Sequence, residues 1–109
     1  MSQPVTPDPK RLELQGILEE IIGNSNVYFN PPENTKMQYP AIRYKRSGYD
    51  NRHADDKIYM SIKEYQLIVI YKDPDDDLPD RLLKNFKHIR HERTYKADNL
   101  CHDVFRLYY

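Results

Sequence analysis

The chain has 109 residues, with 17 Lys plus Arg against 17 Asp plus Glu and a formal net charge of zero. That length makes one domain, which buries roughly two-thirds of the surface its unfolded chain exposes, and leaves no room for a second core. Balanced charge excludes a global attraction to nucleic acid or membrane surfaces, so any such binding needs a local patch.

The single Cys101 rules out an internal disulfide and a cysteine-rich zinc site, and suits a reducing compartment. Ten tyrosines without a tryptophan supply amphipathic contact area, a composition shared by protein interfaces and half-exposed strands. Residues 1–9 read as a flexible arm, because Pro4, Pro7 and Pro9 interrupt any regular pattern. The arm has no apolar stretch, so neither a signal peptide nor a membrane anchor is expected there. The longest apolar run, LIVIY at 67–71, is too short to span a bilayer. One domain over 10–109 follows.

Asp8-Pro9 has the form of a helix N-cap followed by proline in the first turn. Leu14, Ile17, Leu18, Ile21 and Ile22 recur at helical spacing, which predicts an amphipathic helix over 10–22 stopped by Gly23-Asn24. NVYF at 26–29 is a short strand closed by two prolines, and YPAIRYKR at 39–46 is a second extended segment. The polar run SGYDNRHADDK at 47–57 loses all periodicity and is predicted to be the longest internal loop. Residues 57–72 are long for one strand, so a turn or bulge is expected near Lys63-Glu64. In their second half Tyr65, Leu67, Val69 and Tyr71 share one face and Ile68 and Ile70 the other, the pattern of a central strand covered on both sides.

Leu82, Leu83 and Phe86 define a short helix near 80–86. A polar strand with a turn at Asp98-Asn99 follows over 88–100, and alternation through Asp103, Phe105, Leu107 and Tyr109 marks a C-terminal strand. The order α-β-β-β-β-α-β-β predicts an α+β fold, a mostly antiparallel sheet of about four to six strands with two helices packed on it.

Chemistry is harder to find. YKDPDDDLPD at 71–80 has carboxylates at EF-hand spacing, but Leu78 and Lys84 occupy the positions that need Gly and a bidentate Glu. The stretch is better read as the corner where a strand turns into a helix beginning at Asp77 or Leu78. His88 and His91 point to opposite faces of a strand, and Cys101, His102 and Asp103 diverge likewise, so neither set forms a joint site. Asp50, Asp55, Asp56 and Lys57 lie in too polar a run for a strand-borne magnesium site, and Gly16, Gly23 and Gly48 are isolated rather than a phosphate loop. Two basic stretches with interleaved tyrosines, RYKRSGY at 43–49 and RTYK at 93–96, have the makings of a backbone-binding patch, each balanced by nearby acids. No catalytic residue, cofactor or metal is expected.

The succession of a helix ending in Gly, then NVYFNPPE, YPAIRYKR, YQLIVIYKDPDDDLPDRLLKN and HERTYKADNLCHDVFRLYY resembles the tail terminator or tail-completion proteins of long-tailed bacteriophages. The resemblance covers nearly the whole chain after the arm, through an arrangement of elements more than through invariant residues. It implies a homohexameric ring in the virion at the head-tail junction, assembled in the host cytoplasm. Its partners would be the tail tube protein and a head-completion or connector protein, with no catalysis, membrane or specific nucleic acid. By the same analogy the 47–57 loop, with Arg46, Tyr49, Arg52, His53 and Asp56, and the corner Asp75, Asp76 and Asp77 face other subunits or the tube. The alternatives are a head-tail adaptor or stopper and a small phage nucleic-acid-binding protein.

Overall fold

The computed structural model describes residues 5–54 and 57–109, with side chains placed outside 50–61. Helix α1 (Pro9–Ile22) starts where Asp8 caps the Lys10 N–H at 3.0 Å and ends where Gly23 adopts φ 81° and donates to the Glu19 carbonyl. Only glycine takes that left-handed geometry at little cost, which is why the helix stops there.

Five strands form one sheet: β1 (Val27–Phe29), β2 (Ala41–Ala54), β3 (Lys57–Tyr71), β4 (Ile89–Ala97) and β5 (Leu100–Tyr108). Their spatial order is β1-β2-β3-β5-β4, with β1 parallel to β2 and every other pair antiparallel. Helix α2 (Leu78–Asn85) joins β3 to β5's partner β4, completing the α+β fold expected from the sequence. Asp98 and Asn99, at φ 53° and 61°, make the two-residue turn between β4 and β5, the geometry that matches the twist of paired strands.

Two expectations need correction. Residues 47–54 are not loop but strand: β2 continues to Ala54 and pairs with β3 as far as Ala54↔Lys57, and the remainder of the expected loop, 55 and 56, lies outside the described residues. Cross-strand pairing with β3 defines this stretch, a property of the backbone that the polar run SGYDNRHADDK does not display. Residues 57–71 then form one strand, so three strands rather than four precede α2. The irregularity expected at Lys63-Glu64 exists as a register shift in the partner, where Ser47 is the extra residue between Arg46↔Tyr65 and Gly48↔Glu64.

Both helices pack on one face of the sheet. Leu14, Leu18 and Ile21 of α1 and Leu78 and Leu82 of α2 meet Ile42, Tyr44, Tyr65, Leu67, Val69, Phe105 and Leu107 in a single core. Central strand β3 is therefore covered by helices on one side only, although Ile70 and Val104 are buried on the other. Arg81 fastens the two helices by donating to the Ile21 carbonyl, the last residue but one of α1. No helix among the described residues is long and apolar enough to cross a membrane.

Candidate functional site

The β2–β3 ribbon leaves the sheet at Lys63. The last backbone contacts from β5 are at Glu64↔Tyr108 and from the Tyr109 N–H to the Lys63 carbonyl. Beyond them, Tyr49↔Lys63 out to Ala54↔Lys57 pair only with each other. Six residues at about 3.3 Å each carry the ribbon roughly 20 Å past the sheet, in a molecule whose longest extent is 47 Å. A two-stranded ribbon is at best marginally stable in water by itself, and the edge of such a ribbon is a template for a partner strand.

The root of the ribbon is braced by charge. Asp8, the cap of α1, accepts from Lys63 Nζ and lies 3.4 Å from Arg46, whose guanidinium sits 5.7 Å over the Tyr65 ring. The Lys63 hydrogen bond, followed by the Lys10 N–H and the two cations, holds the Asp8 carboxyl below its ordinary range against a smaller effect of burial. Helix start and ribbon root are thus tied through one carboxylate. Replacing Asp8 with alanine removes the cap and both ion pairs, and urea denaturation is expected to show a loss of about 1–2 kcal/mol. Beside this brace lies a cleft of about 420 Å³ lined by Ile62, Lys63, His88, Tyr108 and Tyr109. Tyr109 donates to Glu13 at 2.7 Å, and burial together with that carboxylate pushes its hydroxyl up to about 12.

The residues singled out in the sequence do not form one site. Arg46 is half-buried in the brace, with its Nε buried and unpartnered among the described residues, so its role is in holding the ribbon root. Tyr49 lies on the ribbon and is 59% exposed. The backbone of Arg52 and His53 belongs to β2, but their side chains, like Asp56 altogether, lie outside the described residues. Asp75, Asp76 and Asp77 lie past the far end of β3, whose last residue, Tyr71, is eight residues or roughly 26 Å along the strand from Lys63.

That corner behaves as a turn and cap. Asp73 accepts from the Asp75 N–H at 3.0 Å, Asp76 accepts from the Leu78 N–H at 3.0 Å, and Asp77 pairs with Arg81 at 3.1 Å. Among the described residues no group of three or more His, Cys, Asp or Glu is placed to hold a metal ion.

One polar cluster was not foreseen. Asp103, 4% exposed on β5, faces the core and accepts from Tyr71, Thr94 and His91, the last at 2.8 Å. Burial raises its carboxyl, but the hydrogen bonds from Thr94, Tyr71 and His91 outweigh it and the net shift is downward. Tyr71 is pushed well above its ordinary value, by burial first and then by Asp103. With both oxygens occupied and His91 wedged edge-on against Phe105 at 5.2 Å, the cluster cross-links β3, β4 and β5. The available signal was Asp103 itself, an inward carboxylate in a strand that otherwise points Phe105 and Leu107 at the core.

No family model matches this chain, and searches of curated proteins and of solved structures return no match.

Proposed function

We propose that this chain is a structural assembly protein, a subunit of a ring that caps a bacteriophage tail tube and offers a docking surface to the head. The observation that carries the reading is the ribbon, whose two strands continue past the last pairing of β3 with β5. A neighbouring subunit supplies the missing strand edge or apolar cover, in the manner of strand addition to an exposed sheet edge. Exposed Tyr49 on the ribbon and the cleft at its root support the same reading, since a ring joins two different surfaces of successive copies. The resemblance of the chain to tail terminators supplies the particular assembly.

Negative-stain electron microscopy of the purified chain over a concentration series tests self-association. Rings are expected from the intact chain, and monomers from a variant in which residues 50–61 are replaced by an Asn-Gly turn. An intact chain that stays monomeric at every concentration, with and without tail tubes, would sink the ring.

A further inference from the structure

The face of the sheet opposite the helices has an order that no single strand reveals. Strand register aligns Arg43, Ile68, Val104 and Arg93 in one transverse row and Lys45, Gln66, Arg106 and Arg90 in the next. A third row, on the other side of the first, runs Ala41, Ile70, His102 and Tyr95. The two basic stretches noted in the sequence, RYKR on β2 and RTYK on edge strand β4, thereby meet on one surface. Cations occupy both rims, Arg43 and Lys45 on β2 and Arg90 and Arg93 on β4, across a floor where Ile68 and Gln66 are partly exposed, Ile70 and Val104 are buried, and Arg106 stands between Gln66 and Arg90. The rims are three strand spacings apart, roughly 14 Å.

The electrostatics of this face differ from those of the chain. Five cations stand against Glu64 and Glu92, and both of these carboxylates are engaged by Arg106, at 3.7 and 3.3 Å. No carboxylate among the described residues pairs with Arg43, Lys45, Arg90 or Arg93. At one end of the floor Tyr95, 37% exposed, stacks on His102 at 4.6 Å and 14°, with the Arg93 guanidinium 5.3 Å from its ring.

We infer that this helix-free face binds single-stranded nucleic acid without sequence preference. The sugar-phosphate backbone tracks the cationic rims and the bases lie over Ile68 and the Tyr95–His102 stack. Cations alone would suit any polyanion. The combination with the aromatic platform of Tyr95 and His102 suits a ligand that is anionic along its backbone and planar and apolar in its side groups, which an acidic peptide is not. A duplex hides its base faces and gains nothing from the floor.

Fluorescence anisotropy of the full chain with a labelled oligothymidylate of about 12 nucleotides tests the inference. Binding is expected at low salt and falls with added salt. Tyr95→Leu weakens it about tenfold by removing one stacking surface, and Arg93→Gln weakens it and lowers the slope against log salt by about one. Arg11→Gln, on the helix-bearing face against Phe29 at 4.3 Å, leaves it unchanged. A melting transition by circular dichroism confirms that each variant is folded. Absence of binding at low salt overturns the inference, as does affinity insensitive to both Tyr95→Leu and Arg93→Gln. Equal affinity for polyglutamate or for a duplex of the same length overturns it too. None of these results bears on ring formation.

Discussion

Phe105→Ala is expected to lower the stability of the domain by about 3–5 kcal/mol, measured as a drop in the urea midpoint at unchanged slope. The side chain is completely buried on β5 and sits in the row Tyr44, Leu67, Phe105 and His91 that crosses the core face. Removing it deletes a large apolar surface and leaves a cavity among side chains from three strands, none of which can collapse into it without breaking strand register. The loss is a large fraction of the stability of a domain of this size, so the variant should be partly unfolded at physiological temperature. Phe105→Leu keeps much of the volume and should cost far less.

The second large effect is electrostatic in origin and depends on pH. Asp103→Ala leaves Tyr71, Thr94 and His91 facing a site with no acceptor, and a loss of about 2–3 kcal/mol is expected at neutral pH. Because the folded carboxyl titrates below its ordinary value of 3.8, the folded state favours the ionised form. Its contribution is fully present above that ordinary value and is lost as pH falls through the lower folded value. Stability measured against pH should therefore show wild type and Asp103→Asn furthest apart near pH 7 and converging below about pH 4. A gap that stays constant across that range would mean that the cluster acts through packing rather than through the charged carboxylate.

Local chemistry made much of the fold legible. Asp8-Pro9 and Gly23 bracket α1 to within a residue, Asp98-Asn99 mark a two-residue turn, and the alternation of β5 identifies which of its residues face the core. Each of these signals is a property of a few adjacent residues. The ribbon was hidden for a physical reason: beyond Arg46 the sequence is polar and without alternation, and its strand character lies in backbone pairing with β3, which side-chain type does not encode.

The same reason explains what was missed at the surface. His91, Thr94 and Tyr71 reach Asp103 from two other strands, and Arg43 and Arg93 share a row although they are separated by the whole of β3, α2 and most of the sheet. Register creates both arrangements, and register is set by the global fold. The acidic corner was the opposite case. Its chemistry was fully visible, and the hydrogen bonds of Asp73 and Asp76 show two of its carboxylates engaged in a turn and a helix start.

We propose that this chain ends and caps a growing tail tube, and electron microscopy of particles from a phage that carries it, with a stop codon in place of Lys10, tests the proposal. Overlong tails detached from filled heads are expected. Tails of normal length beside unjoined heads would point to an adaptor instead, and intact, joined particles would contradict the proposal.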